Sequence, residues 1–118
     1  MIDAREQDLA TEPPATLGAL DAYAEGTAGR LVVLALDLLD VRDDDAHQAG
    51  SALGTGYALT GLLRSVPFHA RAKRLYLPAD LMAEAKLAPH RDLFELKPTP
   101  ALARIVERIA IDARRHLD

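Results

Sequence analysis

The sequence predicts an all-α fold of four to five helices. Three observations carry the prediction. Ala and Leu dominate the 118 residues while β-branched residues are sparse and scattered, a composition that favours helix. Apolar and small residues recur at alternating three- and four-residue intervals. Prolines and capping residues stand where those periodic stretches stop.

Residues 2–9 read as one short helical piece, ended by Thr11-Glu12-Pro13-Pro14, because the second proline cannot sit inside a helix and biases its neighbour toward extended backbone. The next helix is expected from Ala15 or Thr16 to about Asp40. Its stripe is Leu17, Leu20, Ala24, Thr27, Leu31, Leu34, Leu38 and Val41, one continuous line down a helix. Ala24, Gly26, Ala28 and Gly29 make its middle small, so a neighbouring helix or an apolar ligand can approach closely. Asp43-Asp44-Asp45 precedes a helix expected from about Asp45 to Val66. These acids suit N-capping, where oxygens satisfy free N–H groups at the positive end, better than metal binding, which would repeat acids at three or four residues. Gly50, Gly54, Gly56 and Gly61 crowd that helix; each glycine costs about 1 kcal/mol relative to Ala, so close packing or a cavity is implied. Pro67 marks a bend or an end, and 68–77 reads as a basic loop. Leu77-Pro78-Ala79-Asp80 opens a short helix. Residues 88–100 read as loop, and the last helix runs from about Thr99, with Leu102, Ile105, Val106, Ile109 and Ala113 on one face.

Composition excludes several classes. With 49% hydrophobic and 27% charged residues the chain is too apolar for disorder. The longest apolar run, Leu31 to Leu36, is six residues where a membrane span needs about 20. There is no cysteine, which removes disulfides, thiolate metal sites and cysteine nucleophiles. Residues 1–45 carry eleven acids against three bases, a net of −8, and residues 46–118 carry a net of +4. An anionic partner for the second half follows (phosphate, lipid headgroup or acidic protein), or simply a solvated face. No aromatic residues interleave with these bases as stacking on nucleic acid requires, so nucleic-acid binding is not expected.

The catalytic inventory is poor. The histidines stand at 47, 69, 90 and 116, with no HExxH spacing, and there is no nucleophile elbow, P-loop or dinucleotide fingerprint. His69, near Arg71, Lys73 and Arg74, is an anion contact or a surface residue.

Leu59 to Leu81 carries a recognisable pattern, with Arg64 followed by Arg74-Leu75-Tyr76-Leu77-Pro78. It resembles the second signature of the squalene/phytoene synthase family, in which a helix ends in N-I-L-R-D-x-x-x-D and continues to G-R-x-Y-L-P. Tyr23-Ala24-Glu25-Gly26-Thr27-Ala28-Gly29 is similar to that family's Y-C-x-x-V-A-G helix, and Leu53-Gly54 sits where its L-G-x-x-x-Q begins. The resemblance covers about residues 20–82. It implies the isoprenoid synthase helical fold around a deep apolar cavity for prenyl chains, with Tyr23, Arg64, Arg74 and Tyr76 as substrate-binding positions. It also implies that residues 1–118 are a partial domain lacking its N-terminal helices, with large apolar surfaces left open.

The pattern departs from the family where metal would bind. The two aspartates of the second motif fall at Ser65 and His69, its asparagine at Gly61 and the upstream glutamine at Ala58. Hard cations need oxygen ligands, and on this reading no carboxylate remains on that face. No catalytic residue, metal site or cofactor is therefore expected, with Mg²⁺ only if the chain is active. Leu63-Arg64-Ser65-Val66-Pro67-Phe68-His69, the bases after it and Leu77-Pro78 are similar to the degenerate branch of the family typified by a mitochondrial complex I assembly factor; Asp45-Ala46-His47 agrees. That branch implies a non-catalytic protein that holds a lipid or prenyl-type ligand or assists assembly of a membrane complex, cytoplasmic or peripheral to the inner membrane. Its basic residues Arg64, Arg71, Lys73 and Arg74 would meet an anionic headgroup or an acidic partner. The alternative is an active Mg²⁺-dependent head-to-head prenyltransferase with His69 among its ligands. A third class is a lipid-binding or scaffolding module without prenyl specificity.

Overall fold

A computed structural model describes residues 2–9, 12–72, 74–87 and 99–118. Among them are six helices and no strand. Helix α1 (Ile2–Arg5) tightens into a 3₁₀ turn over Glu6–Leu9. Helix α2 spans 17–38 in three parts: Leu17–Ala24, a π-helical turn at Glu25–Gly29, and Arg30–Leu38. Helix α3 is Asp44–Arg64, α4 Val66–Arg71, α5 Ala79–Glu84 and α6 Pro100–Leu117. The sixth helix arises because Val66–Arg71 is helical where a basic loop was expected. Pro67 falls in its first turn, where a missing N–H is harmless, and Ser65 forms the joint with α3. Lys73 and the 88–98 part of the expected loop lie outside the described residues.

The aspartate triplet caps as expected, and Thr16 and Thr99, expected only as approximate helix starts, prove to be caps as well. Thr16 Oγ1 accepts from the Ala19 N–H at 3.0 Å, Asp43 Oδ1 from Asp45 at 3.0 Å, and Thr99 Oγ1 from Leu102 at 3.2 Å. The aspartate triplet thus caps α3. Helix α2 ends on Asp40, whose φ of 61° is the left-handed stop common after helices. The following turn is clamped by His47, whose Nε2 lies 2.8 Å from the Val41 carbonyl oxygen and 3.1 Å from Asp37 Oδ1.

The expected α2 stripe holds only to its middle. Leu20, Ala24 and Thr27 are buried, whereas Leu31, Leu34 and Leu38 face solvent. A π turn adds one residue, about 100° of rotation, so the inward positions become Val32 and Leu36, the pair lying within 3.1 Å of where a Gly50 Cβ would stand. Helix α3 lies between α2 and α6, and its glycines make both contacts. A Cβ on Gly54 would stand 2.6 Å from the Ala28 carbonyl oxygen, and one on Gly56 2.7 Å from Leu117. Three of the four α3 glycines therefore answer to packing, and Gly61, with nothing within 4 Å, does not.

The core gathers Leu20, Ala24, Leu59, Ala70, Leu77, Met82, Leu87, Ile105, Ile109 and Ala113. Ile105, Ile109 and Ala113 come from the predicted face of α6. The N-terminal segment is tied in by backbone bonds, Ala79 N–H to the Pro14 carbonyl at 2.8 Å and Asp80 N–H to Ala15 at 3.0 Å.

Candidate functional site

Four of the positions expected from sequence, Tyr23, His69, Arg74 and Tyr76, converge where α2, α4 and the irregular run before α5 meet. Tyr23 is buried on α2, and Tyr76 reaches it from the run after α4, ring centroids 5.7 Å apart. His69 projects from α4 and packs its imidazole on Tyr76 at 4.7 Å, tilted 49°. Arg74 borders the same crevice, and its backbone N–H, bonded to the His69 carbonyl oxygen at 2.8 Å, ends α4 and aims the following run toward α2.

At the centre is a residue that sequence reasoning missed. Asp8, from the 3₁₀ turn, accepts the Tyr23 hydroxyl at 2.6 Å and the Tyr76 hydroxyl at 2.7 Å on Oδ1. Arg5 NH1 donates to Asp8 Oδ2 at 3.0 Å and to the Tyr23 hydroxyl at 3.1 Å. The expectation that no carboxylate remains on this face is therefore corrected: one is brought in by a segment that the family motifs do not cover. The local signal was Arg5 and Asp8 at i, i+3 on one helical face. Their meeting with two tyrosines far along the chain had no signal.

Charge follows geometry. Burial alone would raise Asp8, but the hydrogen bonds from Tyr23, Tyr76 and Arg5 outweigh it and hold the carboxyl below its ordinary value. Burial, then the bond to Asp8, pushes both phenols up, so both are protonated donors at neutral pH. Burial and the Arg74 guanidinium hold His69 below its ordinary value despite Asp8, leaving a neutral imidazole at pH 7.

The remaining expected positions divide. Ala58 packs against the core. Ser65 is the helix joint, its carbonyl accepting the His69 N–H at 2.9 Å. Gly61 faces open space. Arg64 is exposed in the last turn of α3 and shares no hydrogen bond with the cluster among the described residues.

Mg²⁺ does not fit this donor set. Positions 58, 61, 65 and 69 present a methyl, no side chain, a hydroxyl and an imidazole, whereas the ion demands octahedral oxygen ligands. Asp8, the carboxylate at hand, has one oxygen engaged by two phenols and the other by Arg5. The crevice lined by Leu63, His69, Arg74, Tyr76 and Ile109 has about 10 Å³ of free volume, room for roughly one water. An open groove of about 540 Å³ lies elsewhere, between α5 and α6, bordered by Leu81, Ala85, Arg104 and Ile111. The anion held between the two phenols and the Arg5 guanidinium is the Asp8 carboxylate itself, which is therefore not free to carry a cation.

Comparison with known proteins agrees with this pattern. The squalene/phytoene synthase family model matches residues 1–118. NADH dehydrogenase (ubiquinone) complex I, assembly factor 6 of Mus musculus is 30% identical over 117 residues, covering 99% of this chain and 35% of its own. The protein of the same name from Homo sapiens is 31% identical over 81 residues, 69% of this chain and 24% of its own. Phytoene synthase of Rhodobacter capsulatus is 33% identical over 100 residues, 85% of this chain and 30% of its own. The chain thus spans about a third of the length of the curated relatives it matches. No solved structure matches significantly. With the family model matching from end to end and an all-α architecture behind it, the chain belongs to the squalene/phytoene synthase family.

Proposed function

We propose that this chain is part of a catalytically degenerate squalene/phytoene-synthase-like protein that assists assembly of a respiratory membrane complex. The observation that carries the reading is the donor set at Gly61, Ser65 and His69, where the motif's amide and two carboxylates are lost together and the neighbouring Asp8 is consumed by Tyr23, Tyr76 and Arg5. Without metals the developing charge of a diphosphate leaving group has no comparable stabilisation. The similarity to complex I assembly factor 6 supports an assembly role. No helix among the described residues is long and apolar enough to cross a membrane, so the contact of this part with such a complex is peripheral. Arg74, at the border of the crevice, is then the group left to meet an anionic headgroup or acidic partner, while Tyr23 and Tyr76 are held by Asp8.

The test takes the protein carrying this chain and gives it farnesyl or geranylgeranyl diphosphate with Mg²⁺. We expect no coupled product, and cells lacking the protein to lose assembled NADH dehydrogenase complex on native gels. Clear turnover to a coupled prenyl product overturns the degenerate reading, and an unchanged complex overturns the assembly role.

A further inference from the structure

Asp21, Asp112 and His116 meet between α2 and α6, at a place no family motif covers. Asp21 lies about 200° around α2 from Tyr23, so it points away from the tyrosine cluster. Asp112 and His116 stand at i, i+4 on α6 and face it. One ligand atom from each of the three lies within 4.8 Å of the others. His116 Nε2 is 3.7 Å from Asp21 Oδ2 and 3.9 Å from Asp112 Oδ2, too far for hydrogen bonds.

One polar atom of each group has no hydrogen-bond partner among the described residues. Asp21 Oδ1, Asp112 Oδ2 and His116 Nε2 are each buried without a hydrogen-bond partner, which is rare for a polar atom in a folded interior. Asp112 is the decisive one, with its side chain only 6% exposed. Arg115 NH2 holds its Oδ1 at 2.6 Å, which fixes the carboxylate and turns the unpartnered Oδ2 inward. Two carboxylates and one imidazole, from two helices, thus converge with Arg115 on the outer oxygen of Asp112 as the one guanidinium beside them among the described residues. Burial and the Asp112 carboxylate accordingly push Asp21 up to about 6.

We propose that Asp21, Asp112 and His116 form a Zn²⁺ site that clasps α2 to α6. Carboxylate oxygen and imidazole nitrogen are both zinc ligands, at about 2.0–2.2 Å in tetrahedral geometry. Ligand atoms around such an ion stand about 3.3 Å apart by that geometry. The two His116 separations of 3.7 and 3.9 Å need only a small contraction, and the Asp21–Asp112 pair lies within 4.8 Å. Three protein ligands leave one position for water. Ca²⁺ and Mg²⁺ are disfavoured, since both take oxygen ligands in larger number and neither seeks imidazole. The ion would tie the helix bearing Tyr23 to the C-terminal helix. The proposal is independent of whether the protein assists assembly or turns over a prenyl substrate.

The test uses the full chain, stripped with chelator and then titrated with ZnCl₂ by calorimetry, with thermal unfolding followed alongside. We expect one Zn²⁺ per chain and a rise in unfolding midpoint that equal Mg²⁺ or Ca²⁺ does not produce. His116→Gln and Asp21→Asn, both at partly exposed positions, should each weaken binding at least tenfold while remaining folded by circular dichroism. Co²⁺ in place of Zn²⁺ should show the visible bands of a tetrahedral site, lost in both variants. Zinc binding left unchanged by both variants would place the ion elsewhere and overturn the proposal. So would an unfolding midpoint insensitive to zinc but raised by Asp21→Asn alone, the result expected if the carboxylates merely share a proton.

Discussion

Asp8 shows how much a single side chain can alter a site without belonging to its motif. Its carboxylate is the common acceptor for Tyr23, Tyr76 and Arg5, and hydrogen bonds to a charged group are each worth about 1.5–3 kcal/mol when made. Because the folded carboxyl titrates below its ordinary value, its contribution is complete above about pH 4 and is lost as pH falls through the lower folded value. Asp8→Asn should therefore lower stability by about 1–2 kcal/mol near pH 6, with the gap to wild type narrowing as the pH is taken below the ordinary carboxylate value of about 4. Urea unfolding on both sides of that value checks this; a gap independent of pH would assign the effect to shape rather than charge. Tyr23, Tyr76, His69 and Arg74 were legible in the sequence because each occupies a motif position with a fixed offset. Asp8 was not, because its partners are up to 68 residues away and long-range pairing leaves no periodic trace. Asp112 and His116 did leave one, an i, i+4 pair on the apolar face of the last helix, but their third member, Asp21, looks from sequence like any acid on an amphipathic helix.

Helix by helix, five of the six were readable in outline, Val66–Arg71 was not, and neither was the phase of a helix. The starts near Thr16 and Thr99 and the cap at Asp43 were legible because what begins a helix is local. The stripe of α2 misleads past residue 29 because the Glu25–Gly29 π turn rotates everything after it, and a strict three–four spacing carries no sign of the extra residue. The glycines of α3 are likewise alike in sequence and unlike in place. Gly54→Ala drives a methyl to 2.6 Å from the Ala28 carbonyl oxygen, beside the Gly29 Cα at 2.9 Å, backbone that cannot swing aside. It should cost about 1–3 kcal/mol, the usual penalty of overpacking. Gly61→Ala meets nothing within 4 Å and should gain up to about 1 kcal/mol of helix propensity. Chemical denaturation of the two variants in parallel checks the contrast, and equal effects would contradict the α2–α3 contact.

The whole molecule is long and thin, 49 × 29 × 20 Å with a radius of gyration of 15.1 Å, against about 13.5 Å for a compact chain of this length. Its thin axis leaves Leu31, Leu34 and Leu38 along one face of α2 and Leu53 and Tyr57 along α3 open, Tyr57 at 76% exposure. The expected open apolar surfaces are thus present, although on α2 they lie on the face that sequence periodicity assigned to the core. We expect the chain to enhance the fluorescence of a hydrophobic dye, and Leu31, Leu34 and Leu38 changed together to Ser to diminish it. Each of these surface changes should move stability by no more than about 0.5 kcal/mol. A dye signal unaltered by the triple change would mean that those leucines are covered in solution. The Asp8–Tyr76 bond adds a matter of timing. A ribosome adds about 5–20 residues per second, so Asp8 emerges several seconds before Tyr76, across the 68 residues that separate them. Arg5 is available to it at once and Tyr23 after 15 further residues, so Tyr76 is the partner that arrives late. The phenol cluster thus cannot close before residue 76 has emerged, although it can close before the helix Pro100–Leu117 that completes the core, and ribosome pausing before residue 76 would prolong the wait.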